Sequence, residues 1–157
     1  MRAILDADPE LARTKRPTLL HQTVFWGYPA LARLLLEWGA DPNGQTTPGL
    51  FSPFHSATAA PAPYVPGDEE DVILECIEVL LAAGANPNLR SHLGVTAAFN
   101  AAASGDLRVL QRLIEAGCDP QVRANKVDGP LSEMLPVDVA RDRGHTHIVA
   151  YLESLPA

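Results

Sequence analysis

The chain has 157 residues, 46% hydrophobic and 20% charged, which fits one domain with a substantial core and is ordinary globular composition rather than disorder. Twelve Lys and Arg against nineteen Asp and Glu leave a net charge of −7, a field that repels phosphate backbones and argues against nucleic acid as a general partner. No apolar run approaches the length of a membrane span, and the start Met1-Arg2-Ala3-Ile4-Leu5-Asp6 turns acidic before a secretory core can develop, so a cytoplasmic protein without membrane contact is expected.

In chain order, the small basic cluster Arg13-Thr14-Lys15-Arg16 precedes Thr18-Leu19-Leu20-His21, the first of several recurring anchors. Gly27 follows Thr18 by nine residues and marks a tight turn. Pro29 suits the first turn of the next helix, where its missing N–H loses nothing. Leu31, Leu34 and Leu35 recur at helical spacing and predict one apolar stripe. Gly39 fits the left-handed position after a helix, and Asp41-Pro42-Asn43-Gly44 is strong turn chemistry.

The second anchor, Ser52-Pro53-Phe54-His55, is followed by Ala60-Pro61-Ala62-Pro63-Tyr64-Val65-Pro66-Gly67, where the prolines exclude helix and predict an exposed insertion near 60–70. Asp68-Glu69-Glu70-Asp71 reads as a helix N-terminus, where carboxylates meet the positive end of the dipole, and is also compatible with an acidic docking patch. Leu74, Cys76, Ile77 and Leu80 then form an apolar stripe that ends at Gly84-Ala85-Asn86-Pro87-Asn88. The third unit runs from Thr96-Ala97-Ala98-Phe99 through Gly105 to Gly117-Cys118-Asp119-Pro120-Gln121. The last has Leu135-Pro136-Val137-Asp138-Val139-Ala140 and Gly144-His145.

The anchors keep register. Thr18 and Thr96 each lie 21 residues before Gly39 and Gly117, and Ser52 lies 32 before Gly84, which is the same interval with 11 residues inserted. Gly27, Gly105 and Gly144 each lie nine residues after Thr18, Thr96 and Leu135. Each unit reads as a short helix, a glycine turn, a second helix and a turn-rich loop. A helix pair this short cannot bury its apolar face alone, so neighbouring units must stack.

These residues resemble the ankyrin repeat, with its Thr-Pro-Leu-His, Ala-Ala, Gly-His, leucine-run and Gly-Ala-Asp steps. The resemblance implies an all-α ankyrin-repeat solenoid of stacked helix-turn-helix units with hairpin-like loops, in one domain over 1–157. Its parts are a half-repeat over 1–13 and repeats at about 14–46, 47–91, 92–123 and 124–157. The last repeat lacks the Thr and His of the first anchor and ends before a closing Gly-Ala; because residues 1–13 look like half a unit, terminal repeats of a longer parent are an alternative. Abundant Ala, Leu, Arg and Pro fit a bacterial origin by association only.

Chemistry-bearing residues have structural explanations. His21 and His55 occupy equivalent places and are expected to bond backbone between adjacent repeats. His145 and His147 lie two residues apart, a spacing that does not put both on one helical face, and no Cys or Asp set stands at ligand spacing beside them. Cys76 and Cys118 read as small buried hydrophobes, without a disulfide framework. No nucleophile stands beside a base, and no phosphate-cradling loop is present, so no catalytic residue, cofactor or metal is expected.

Function is therefore expected at the surface. The resemblance implies that a partner protein docks on the concave side, formed by loop tips and by the two residues before the glycine of each first helix. Those pairs are Phe25-Trp26, Ala59-Ala60, Ala103-Ser104 and Asp142-Arg143. The expected partner-binding residues are Phe25, Trp26, Phe51, Tyr64, Ser104, Asp142 and Arg143, with Phe25-Trp26 at the centre. The expectation is a monomeric, non-enzymatic protein-interaction module. The alternative is an inhibitor or immunity protein neutralising a basic toxin or enzyme, and a more remote one is a hydrolase or metal protein on the same scaffold.

Overall fold

A computed structural model describes residues 17–59, 69–125, 129 and 131–156, and the fold over them is entirely helical. The half-repeat at 1–13 and most of the insertion, with Tyr64, lie outside the described residues. The chain divides into two compact units, residues 1–86 and 87–157.

The first unit holds α1 (Pro17–Phe25), α2 (Pro29–Glu37), α3 (Pro53–Thr58) and α4 (Glu69–Ala82). α1 packs on α3 and α2 on α4, while α1 with α2 and α3 with α4 form the hairpin pairs. Leu20, Val24, Ala32, Leu35, Phe54, Ala57, Cys76, Ile77 and Leu80 make its core, each at most 1% exposed. Of the stripe expected on α2, Leu35 is buried and Leu31 and Leu34 are half-buried, while Ala32 joins Leu35 in the core. α4 begins at Glu69, as the acidic run implied.

The second unit holds α5 (Ala97–Ser104), α6 (Leu107–Glu115), α7 (Pro136–Asp142) and α8 (Thr146–Ser154). α5 packs on α6 and α7, and α7 packs on α8. Ala97, Ala98, Ala101 and Ala102 are fully buried small residues that admit close neighbours, and Phe99 of the same helix adds a buried ring. Val109, Leu110, Leu113, Val139, Ala140 and Ile148 supply the volume.

Glycines end the second helices because the backbone there turns left-handed. Gly39, Gly84 and Gly117 have φ of 88°, 79° and 88°. Each opens a double hydrogen-bond cap, with Gly39 donating to Leu36 and Ala40 to Leu35, Gly84 to Leu81 and Ala85 to Leu80, and Gly117 to Ile114 and Cys118 to Leu113. The following loops are hairpin-like: the Thr46 N–H donates to the Phe51 carbonyl at 3.0 Å, Ser91 to Val95 at 3.0 Å and Ala124 to Met134 at 2.9 Å. Asp41 and Asp119 tighten two of them by accepting the N–H groups of Asn43 and Gln121, each at 2.8 Å.

Candidate interaction surface

Among the described residues, the exposed large hydrophobics are Trp26 (51%), Tyr28 (57%), Leu50 (44%) and Phe51 (36%), and all four belong to the first unit. Trp26 and Tyr28 flank Gly27, which has φ of 69° and ends α1 with the same double cap. The Gly27 N–H donates to Val24 at 3.3 Å and the Tyr28 N–H to Thr23 at 3.0 Å. At the corresponding place after α2, α4 and α6 stand the small residues Ala40, Ala85 and Cys118, half-buried or buried. Tyr28 is large and exposed there, and the residue its backbone bonds, Thr23, offers no apolar contact of the kind that usually closes this motif.

Tyr28 is also the N-cap of α2 and makes no side-chain cap bond. Of its equivalents, Asp106 before α6 makes one, accepting the Val109 N–H at 3.1 Å, while His145 before α8 makes none. Tyrosine supplies no short acceptor to the orphan amides of a helix start, so local helix physics does not account for this residue. Phe25 is half-buried, and its ring meets Trp26 edge-on, with centroids 5.2 Å apart and planes at 88°.

Leu50 and Phe51 project from the loop before α3. Leu50 has φ of 52°, a conformation that costs a non-glycine residue about 1–2 kcal/mol and that here follows Gly49 at φ 114°. Its N–H donates to the Thr46 carbonyl at 2.9 Å, and its own carbonyl accepts from Nε2 of Gln45 at 2.7 Å. Phe51 is tied to α1, because Nε2–H of His21 donates to its carbonyl at 2.8 Å. His21 stands one helical turn before Phe25, so this bond seats the loop against the face of α1 that leads to the aromatic pair.

The remaining expected residues lie in the second unit. Ser104 is exposed, and its hydroxyl donates back to the Asn100 and Ala101 carbonyls at 3.0 and 3.2 Å. Arg143 is exposed and donates to the Ala103 carbonyl at 3.1 Å, so it meets the end of α5 beside Ser104. Asp142 is exposed. Tyr28 and Leu50 were not singled out from sequence. The first had a readable signal, a tyrosine at the N-cap position where its equivalent is Asp106; the second had none beyond its neighbour Gly49.

The histidines and cysteines serve packing. His55 is buried, and its Nδ1 accepts the Ser52 N–H at 3.1 Å, with the Ser52 hydroxyl 2.8 Å away. Contrary to the spacing argument, His145 and His147 lie side by side, with ring centroids 6.1 Å apart. His145 is the N-cap of α8 and outside its helical geometry, so the helical angle between positions does not apply. Their Nε2–H groups donate to the Ala103 and Gly105 carbonyls at 3.1 and 2.9 Å. Burial pushes the Cys76 thiol up to about 12, with the charge of Glu75 adding to it, and burial also raises that of Cys118.

An open cleft between α2 and α4 is lined by Arg33, Leu36, Glu37, Glu78 and Val79. No helix of the described residues is long and apolar enough to cross a membrane. Residues 18–47 match a family model described as Ankyrin repeat, and residues 74–114 match one described as Ankyrin repeats (many copies). A search of curated proteins finds none that matches.

Proposed function

Because this chain is an ankyrin-repeat protein, and ankyrin repeats are generally protein–protein interaction modules, we propose that it docks a partner protein on the surface formed by Trp26, Tyr28, Leu50 and Phe51, with Phe25 edge-on to Trp26. The observation that carries this reading is the pair of exposed rings on either side of Gly27, where helix capping calls for small or short polar residues. Exposed aromatic anchors surrounded by polar neighbours are the usual centre of a protein interface. Gln22 on α1 and Thr47 in the loop before α3 are exposed polar residues on the same two segments. The chain acts as a non-enzymatic monomer, and on this reading Ser104, Asp142 and Arg143 are peripheral, since two of them already bond backbone. The charge of −7 supports a protein rather than a nucleic acid as partner.

The test is capture from the source cell with wild-type chain and with Trp26→Ala, Phe51→Ala and Asp142→Ala. A species retained by wild type and Asp142→Ala but lost with either aromatic variant supports the assignment. Capture that survives both aromatic substitutions places the partner elsewhere. Since Trp26 is half exposed, its removal should leave stability within about 1 kcal/mol, so lost capture would not reflect unfolding.

A further inference from the structure

The charge is not spread evenly. Residues 1–86 carry eleven Asp and Glu against five Lys and Arg, a net of −6, while residues 87–157 carry eight against seven, a net of −1. The exposed aromatics and most of the net negative charge therefore belong to the same unit. Among its described residues Arg33 is the one Lys or Arg, and it lines the α2–α4 cleft together with Glu37 and Glu78. Glu37, Asp41, Glu75 and Glu78 are exposed.

The apolar area alone is too small to hold a second copy of the chain. Three aromatic rings and one leucine at these exposures present on the order of 400 Å², about half of what each side of a stable interface buries. The patch suits an anchor within a more polar contact. Indole and phenol faces carry negative quadrupole potential, and a guanidinium is the cation that best combines charge with flat stacking.

Resting on the docking surface argued above, we propose that the partner is a basic protein whose contact segment places an arginine on the exposed rings of Trp26 and Tyr28. The acidic unit draws the partner in, an effect on association rate that salt screens. The rings then hold the arginine.

The test uses the full chain and five peptides of the form Ac-Gly-Leu-X-Leu-Gly-NH2, with X as arginine, lysine, citrulline, leucine or glutamate. Binding is followed by nuclear magnetic resonance up to about 10 mM peptide. The reporters are the indole N–H of Trp26, identified with Trp26→Phe, and the ring of Tyr28. Arginine should bind roughly three- to fivefold more tightly than its neutral isostere citrulline. Trp26→Ala should erase that preference, and glutamate should be the weakest. If arginine, citrulline and leucine peptides shift the Trp26 signal equally, the basic partner is ruled out while the aromatic surface stands. If the arginine peptide shifts only residues of α2 and α4 and Trp26→Ala changes nothing, the surface itself is wrong. Absence of any shift at the rings overturns the proposal as well.

Discussion

Asn88 and Asp119 are joined across consecutive loops of one unit: the Asp119 N–H donates to Oδ1 of Asn88 at 2.8 Å, while Nδ2 of Asn88 donates to the Gly117 carbonyl at 2.7 Å. Asn43 makes the same two-point clamp in the other unit, accepting from the Asn86 N–H at 2.6 Å and donating to the Gly84 carbonyl at 3.3 Å. One amide thus satisfies a donor and an acceptor that the helix-ending glycine leaves outside the helix. Asn88→Ala removes both bonds and should cost about 1–2 kcal/mol. Asn88→Asp keeps the acceptor but sets a carboxylate against the Gly117 carbonyl, so it should recover little. Urea unfolding of the two variants checks this, and an unchanged midpoint for Asn88→Ala would remove the clamp from the account of how loops are held.

The repeat frame was readable because it depends on backbone sign. Gly27, Gly39, Gly84, Gly105, Gly117 and Gly144 all have positive φ, which few other residues tolerate, so the glycines mark register directly. In sequence Asn43 reads only as turn chemistry and Asn88 only as the end of a recurring segment, because their partners are backbone atoms in the next loop and backbone leaves no trace in sequence. Exposure was harder still. Phe25 and Trp26 occupy matching places in the count, yet one is half-buried and the other open, a difference set by neighbours rather than by residue type.

Tyr28→Asn should separate folding from function. Asparagine at this N-cap can accept an orphan amide of α2, as Asp106 does for α6, and should add about 0.5–1 kcal/mol of stability. The same change removes an exposed ring and should weaken partner capture. A more stable protein that binds less well is the expected result of thermal melting and capture together. Destabilisation instead would mean that the ring packs against the body.

Cys76 sets a pH dependence. Its thiol has an ordinary value near 9 and is pushed up to about 12 in the fold, by burial first and by Glu75 second. Between those limits the unfolded chain has lost a proton that the native chain keeps, so stability is full below pH 9 and falls as pH rises. The slope from this group approaches about 1.4 kcal/mol per pH unit. Cys118, also raised by burial, adds to it. Urea midpoints measured in reductant from pH 8 to about pH 10.5 should fall more steeply for wild type than for Cys76→Ala. Parallel curves would show that the thiol ionises in place. Native protein at neutral pH should also resist thiol reagents at Cys76, since the reactive thiolate is nearly absent.

Gly105 and His145 offer a way to measure strain and packing apart. Gly105 has φ of 82°, and a Cβ built there would lie 2.7 Å from Cε1 and Nδ1 of His145. The imidazole cannot simply swing aside, because its Nε2–H holds the Ala103 carbonyl at 3.1 Å. Gly144 has nearly the same φ, 77°, with nothing within 4 Å of its virtual Cβ. Gly144→Ala therefore carries only the left-handed backbone cost, about 1–2 kcal/mol. Gly105→Ala carries that cost plus either the clash or the lost histidine bond, so it should be the more destabilising by about a further 1 kcal/mol. In the His145→Ala background the clash is gone, and Gly105→Ala should then cost no more than Gly144→Ala. The double-mutant cycle for residues 105 and 145 should show a coupling of about 0.5–1 kcal/mol, with the pair less costly than the sum. Strict additivity would mean that the ring of His145 does not cover Gly105 in solution, and that backbone conformation alone requires the glycine.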